Sequence, residues 1–315
     1  MSYRAAKKDI YWISAFPDNE NMSYNVLYPW LFNAFIEDTM TKLSLLDFRC
    51  HGRITQDKVQ EIRSNLEECY PRLGQWLPER VEVQLFDTPA KLAAFLASEK
   101  AELGIGTFGD DAFISSHDAW RGFPRLLICL ERLYTLSPMA RLGALRHEVA
   151  HTVLHGALAY YVFRIPSDCL ELAHAKGMDL TVLQQVLYYC ATAVKDFEVT
   201  RLLLRQGYQD CQVVFAQAQL LPSDEDKLAW LLARYHPEAR LLFFTGQLKT
   251  LLLGYPLEPA GLIQLERSVD FMLTYVEPDK RKRLFDLARS IAKQLGEDTH
   301  DNVRLTLRQV LQEPL

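Results

Sequence analysis

The chain has 315 residues, of which 49% are hydrophobic and 24% are charged, and its formal net charge is −5. Such a chain is long enough to bury a substantial core, and its composition is ordinary for a globular protein. Because the net charge is negative and the sequence has no strongly basic region, it argues against binding to nucleic acid or to anionic membranes. No uninterrupted apolar run is long enough to cross a bilayer.

Six cysteines are scattered through apolar stretches, and none belongs to a CxxC pair. This pattern favours reduced, mostly buried thiols over a disulfide framework or a thiolate zinc site. The first residues also lack the apolar core of a secretory signal peptide. We therefore expect a cytoplasmic protein, with neither a nucleic acid nor a membrane among its partners.

The N-terminal part of the chain is predicted to be helical. Residues 21–45 are rich in aromatic side chains and read as a helix that packs into a core. A second helix is predicted to begin at Thr55 and to end before Pro71, with apolar residues at helical spacing between them. These elements form a predicted N-terminal helical segment, residues 1–78.

The pattern then changes to strands. Residues 81–87 alternate apolar and polar side chains, which predicts a half-buried strand, and Thr88-Pro89 begins a short helix that runs to Lys100. One or two further strands are predicted between residue 112 and residue 130. After Pro166 the chain is predicted to be almost entirely helical to its end.

Residues 104–109 match the pattern G-x-G-x-x-G. A dinucleotide site needs a strand before these glycines and a helix after them, whereas a predicted helix precedes them here. The sequence therefore favours a tight strand or turn at this position over a cofactor site.

The stretch that carries chemistry is His147-Glu148-Val149-Ala150-His151. Ser137 followed by Pro138 predicts the start of the helix that contains it, since serine is a good N-cap and proline suits the first helical position. On that helix the two histidines share a face, about 6 Å apart along the axis. They can bind one Zn²⁺, while Glu148 can reach a water on the open side of the ion.

This stretch resembles the extended HExxH signature of the zincin metallopeptidases, in which the flanking positions are uncharged, as Val149 and Ala150 are here. Ala144 departs from the Val or Thr that usually stands near the start of that signature. The predicted order of strand, helix, strands and HExxH helix also resembles the zincin core, over about residues 80–205. The resemblance implies an α+β fold with a small mixed sheet packed on the active-site helix.

A catalytic zinc site usually has three protein ligands, so a third ligand is needed beside His147 and His151. His155 lies a further turn along and about 80° round the helix from His147, so we expect it to be a helix-end residue or a neighbour of the ligands. The sequence most resembles the gluzincin branch, whose third ligand is a Glu on a later helix, and this implies Glu198. Asp196 remains open, either as that ligand or as an acceptor for a ligating histidine.

One departure weakens the closer resemblance: Leu202 stands four residues after Glu198, where gluzincins commonly have Asp. The residue that would stabilise the oxyanion also stays open. The candidates are four side chains downstream of the motif: Tyr160, Tyr161, His155 and His174.

The leading expectation is a zinc metallopeptidase that hydrolyses peptide bonds in peptide or protein substrates, with a zinc-activated water and Glu148 as general base. Its core is expected at residues 79–206, followed by a helical region at 207–315 that could bind a protein partner. One alternative is a catalytically weak zincin-like protein that acts as a regulatory or interaction module. Another is a zinc hydrolase that acts on a non-peptide amide.

Overall fold

The structure, a computed structural model, describes residues 45–74, 77–104 and 113–313. The aromatic helix predicted over residues 21–45 lies outside these ranges except for its last residue, and so does the glycine run beyond Gly104. The described part has an α+β fold with one four-stranded sheet and twelve α-helices. The α+β class is therefore confirmed.

The strands and helices follow one another in an order that places most helices after the sheet. The strands are β1 (Leu46–His51), β2 (Val81–Phe86), β3 (Ser115–Asp118) and β4 (Arg125–Cys129). The helices before residue 180 are α1 (Gln56–Cys69), α2 (Pro89–Leu103), α3 (Leu130–Leu133), α4 (Pro138–Leu154) and α5 (Ser167–Ala175). The later helices are α6 (Leu180–Arg205), α7 (Gln209–Gln219), α8 (Asp224–Ala233), α9 (Pro237–Gly254), α10 (Leu265–Met272), α11 (Pro278–Ala292) and α12 (Thr299–Gln312).

Most of the predicted elements are confirmed. The helix predicted from Thr55 is α1, the alternating strand is β2, and the helix that Ser137 was predicted to cap is α4. The predicted helical stretch after Pro166 is also present, as α5 to α12. The sequence did not predict β1, so the sheet extends into the segment that was expected to be helical.

The sheet has the strand order β1-β2-β4-β3 and is mixed. Strand β2 pairs in parallel with both β1 and β4, while β3 pairs antiparallel to β4. As a result β3 is an edge strand, and its Ser116 and His117 pair with Leu127 and Leu126. This edge of the sheet packs on α4.

Strand β2 was predicted to be half-buried, but all six of its residues are buried. Val81, Val83 and Leu85 join the main apolar core on one face of the sheet, and Phe86 joins a second cluster that includes α2 residues. The polar residues on this second face, Glu82 and Gln84, are hydrogen-bonded to each other. Helix α2 covers the face that an alternating pattern assigns to solvent, which is why the prediction was wrong.

The main core is continuous from Leu46 to Leu311 and draws on all three predicted segments. Helix α4 lies in its interior, in contact with α1, α6 and α7. Ser137 caps α4, since its hydroxyl accepts a hydrogen bond from the Ala140 amide at 3.3 Å. Among the described residues, no helix combines the length and the apolar character that a membrane span needs. All six cysteines fall within the described ranges as free thiols, and five are buried.

Gly143 fixes how closely α4 approaches α7. A Cβ at this position would lie 2.4 Å from the Cys211 carbonyl oxygen and 2.7 Å from the Phe215 Cβ. We expect Gly143→Ala to lower the free energy of unfolding by about 1–3 kcal/mol, because two packed backbones would have to separate. Urea unfolding measures this loss.

Gly246, in the middle of α9, provides the matched control, because a Cβ there meets nothing within 4 Å. Gly246→Ala is expected to raise the free energy of unfolding by about 0.5–1 kcal/mol, the usual helical preference for alanine over glycine. If both variants changed stability equally, the tight α4–α7 contact would not be what requires glycine at position 143.

Candidate metal centre

Helix α4 presents a row of histidines to α6. His147 and His151 lie one turn apart, and both are almost completely buried, with 3% and 1% of their surface exposed. Asp196 of α6, also buried, faces them. Burial of three polar side chains at one point is costly unless each has a partner.

Three atoms form a compact triangle at this point. The Nε2 atoms of His147 and His151 are 3.1 Å apart, and Oδ1 of Asp196 lies 3.1 Å from the second and 3.5 Å from the first. A tetrahedral ion bound at about 2.0–2.1 Å separates its ligand atoms by about 3.3–3.4 Å. The triangle therefore has the size of one face of such a coordination shell.

Glu198, which the gluzincin resemblance implied as third ligand, lies elsewhere. Its Oε2 is 2.9 Å from Nε2 of His155 and accepts a hydrogen bond from the Thr299 hydroxyl at 2.8 Å, while its Oε1 accepts one from the Asn302 amide at 2.6 Å. The carboxylate is thus engaged by other groups, and the structure brings Asp196, not Glu198, to the two histidines. Asp196, which the sequence left open as the third ligand, therefore takes the position that the resemblance implied for Glu198, and Glu198 instead accepts from His155.

His155 lies at the C-terminal end of α4, as predicted, and touches a candidate ligand. Its Nδ1 is 3.1 Å from Nδ1 of His151. Burial lowers the pKa of His155 to about 4 and holds the pKa of His151 well below its usual value, so both rings are neutral near pH 7. A neutral imidazole has one donor nitrogen and one acceptor nitrogen.

The hydrogen bonds therefore determine the tautomers of both rings. A carboxylate only accepts, so His155 donates from Nε2 to Glu198 and must accept at Nδ1. His151 accordingly donates from Nδ1, and its Nε2 carries a lone pair. That lone pair faces Oδ1 of Asp196, another acceptor, at 3.1 Å. A divalent metal ion bound by both atoms would remove the repulsion between these two acceptors.

The general base predicted from the motif, Glu148, is held by two residues of β3. Ser115 donates a hydrogen bond to Oε1 at 3.1 Å, and Nδ1 of His117 lies 2.9 Å from Oε2. Burial is the largest influence and opposes ionisation, but the hydrogen bond from His117 and the electrostatic attraction of His117 and His147 together outweigh it, so the pKa of Glu148 lies below its usual value. A Glu148 oxygen also lies within 4.8 Å of a ring nitrogen of His151.

His117 and Ser115 were not identified from the sequence. They occupy alternate positions of a short edge strand, so both point to the same side of the sheet. A polar i, i+2 pair before the HExxH helix was the available signal, and it is weak on its own. The His117 ring stacks on His151 with centroids 3.6 Å apart and planes 12° apart, so its in-plane lone pairs do not converge with those of His151 on one ion.

A buried ion network anchors β3 beside α4. Arg125, fully buried, donates paired hydrogen bonds to Asp118 at 2.8 Å each and to Glu99 at 2.5 and 2.7 Å. Bidentate pairs of this kind fix geometry as well as charge. Since Asp118 follows His117 directly, the network fixes the strand that holds Glu148.

Lys195 is a second feature that sequence reasoning missed. Only 7% of its surface is exposed, and its ammonium lies 4.3 Å from the centre of the Tyr161 ring. Burial lowers its pKa to about 8, and its charge acts on Glu148, Asp196 and Glu198. Within the described ranges no hydrogen-bonding or ion-pair partner of this ammonium is found. A cation is thus close to three buried carboxylates.

The four residues considered for oxyanion stabilisation are placed differently. His155 is committed to the hydrogen-bond chain, and His174 is exposed on α5. Tyr160 contacts the His155 ring, with centroids 5.3 Å apart, and Tyr161 lies 6.1 Å from the His117 ring. Of these four, Tyr161 is the one beside both Lys195 and His117.

Comparisons with protein-family models, with curated proteins and with solved structures found no match to this chain.

Proposed function

We propose that this protein is a zinc-dependent metallopeptidase with a zincin-like core. His147, His151 and Asp196 would hold the ion, and Glu148 would act as the general base. The observation that carries the proposal is the triangle of two imidazole nitrogens and a carboxylate oxygen, with the His151 lone pair turned toward Asp196. Two histidines with a carboxylate are a common catalytic zinc ligand set.

A zinc ion held by these ligands supplies Lewis acidity and makes water a nucleophile near neutral pH. Glu148 would take the proton of the attacking water and then pass it to the leaving amine. Ser115 and His117 keep its carboxylate in place and favour the ionised form that can accept a proton.

Lys195 is our candidate for stabilising negative charge that develops on the substrate carbonyl. Lys195 interacts electrostatically with the side chains of Glu148, Asp196 and Glu198, and the Lys249 ammonium lies 3.8 Å from Oδ2 of Asp196. A divalent ion bound there would add positive charge, and together with Lys195 it would favour a developing oxyanion. The buried setting strengthens this effect, because few waters screen the ammonium.

The zinc content of protein purified without a histidine tag tests the proposal. We expect about one zinc ion per chain by plasma mass spectrometry. Removing it with a chelator should lower the melting temperature, since a ligand at 1,000 times its Kd stabilises the folded state by about 4 kcal/mol. A well-folded wild-type protein that contains no zinc and takes up none on addition would contradict the proposal.

One observation favours the alternative of a catalytically weak, regulatory zincin-like protein. Both carboxylate oxygens of Glu148 already hold hydrogen bonds within the protein, from Ser115 and His117. Zinc binding is common to both functions, so metal content does not separate them. Cleavage of a peptide library by the zinc-loaded wild type, lost in Glu148→Gln, separates an enzyme from a binding module.

A further inference from the structure

Helix α12 contributes two hydrogen-bond donors to the interior of the molecule, far from the HExxH motif in sequence. Thr299 and Asn302 lie in its first turn, are 8% and 4% exposed, and both donate to Glu198. The orientation of the Asn302 amide is fixed, since its Oδ1 accepts a hydrogen bond from the Gly296 amide at 2.7 Å. Its NH₂ group must therefore face the carboxylate.

These donors stand at the end of a chain of hydrogen bonds that leads to a candidate metal ligand. Glu198 accepts from Nε2 of His155, and His155 accepts from Nδ1 of His151. Every donor in this chain of hydrogen bonds has an acceptor. Because His151 donates from Nδ1, its Nε2 carries the lone pair, which faces Asp196. A chain that is fully satisfied and buried fixes both ring orientation and tautomer.

We propose that Thr299 and Asn302 are positioning residues for the metal centre, acting through Glu198 and His155 on His151. This inference rests on the proposed zinc site. Without the two donors the Glu198 carboxylate is free to rotate, and His155 loses the acceptor that determines which of its nitrogens carries the proton. His151 can then carry its proton on Nε2, in the form that cannot bind a metal ion.

The competing explanation is that these contacts only hold α12 against α6. The two explanations differ in what they predict for metal affinity. If Thr299 positions the metal centre, removal of its hydroxyl should raise the zinc Kd. If Thr299 only packs α12 against α6, removal of the hydroxyl should change the free energy of unfolding alone. Loss of a partner in the outer shell of a metal site typically weakens metal binding about 10- to 100-fold.

Thr299→Val and Thr306→Val form a matched pair for this test. Thr306 is also buried in α12, but its hydroxyl donates to the Asn302 carbonyl of the same helix and takes no part in the chain. Zinc Kd is measured for both full-length variants by competition with a chromophoric chelator, and stability of the metal-free forms by urea unfolding. We expect Thr299→Val to bind zinc about tenfold more weakly or worse, with Thr306→Val near wild type.

Thr299→Ser keeps the hydroxyl and is expected to restore the wild-type zinc Kd. Equal zinc Kd values for wild type, Thr299→Val and Thr306→Val would overturn the inference, whatever happened to stability. If Thr299→Val does not fold, Asn302→Leu is measured in its place with the same expectation and the same overturning result. A wild-type protein that binds no zinc would instead refute the proposed function itself, so the two failures are distinct.

Discussion

Asp196→Ala is expected to weaken zinc binding by more than about a hundredfold, and Glu198→Ala by less. Asp196 places an oxygen 3.1 Å from the ligand nitrogen of His151, whereas Glu198 reaches that histidine only through His155. Residues that act through a ligand cost about 10- to 100-fold when lost, so removal of a ligand itself should exceed that range. Zinc Kd by chelator competition measures both effects.

Asp196→Asn is the stricter version of this test. It keeps the shape of the side chain and one oxygen but removes the negative charge that draws a cation between two acceptors. Its zinc affinity should fall between those of wild type and Asp196→Ala. Should Glu198→Ala lose more zinc than Asp196→Ala, the ligand would be Glu198 and the assignment made here would be reversed.

Glu148→Gln should reduce kcat about 10²- to 10⁴-fold, the range expected for loss of a general base, while the zinc content stays at the wild-type level. The amide keeps the size of the carboxylate, so Ser115 can still donate to its oxygen, but it cannot take a proton from water. A peptide found by library screening serves as substrate, and metal content is measured on the same samples.

Glu131→Gln is the matched control, because Glu131 is exposed on α3 and is not among the residues of the candidate metal centre. It should leave both kcat and zinc content unchanged. Hydrolysis that survived in Glu148→Gln with zinc bound would show that another group serves as the base, and His117 would be the first to examine.

Local signals explain which parts of the fold could be predicted. Ser137 and Pro138 define the start of α4 by capping and by backbone geometry, both of which depend on neighbours in sequence. Strand β1 has no such signal, since it is stabilised by pairing with β2 about 35 residues later in the chain. Pairing between distant segments is not encoded in the periodicity of either one.

The third ligand shows why the site was only partly predictable. Glu198 was favoured because gluzincins take their third ligand from a Glu on a later helix, and that resemblance does not establish which carboxylate of α6 faces the motif. Burial does not separate the two candidates either, since residues 193–200 of α6 are all buried. The choice between Asp196 and Glu198 depends on which reaches His151, and only the packing of α6 against α4 and α12 determines this.

The burial of α6 on every side between Ala193 and Thr200 also affects how its sequence can vary. An amphipathic helix has a solvent face on which substitutions usually change stability by less than about 0.5 kcal/mol, and such positions can drift. From Ala193 to Thr200, α6 offers no such position, because every one of these residues is buried. A tolerated substitution in this stretch must preserve the side-chain volume or polarity that its contact on α4, α9 or α12 requires. We therefore expect substitutions here to occur in pairs, one in α6 and one in the residue that it contacts.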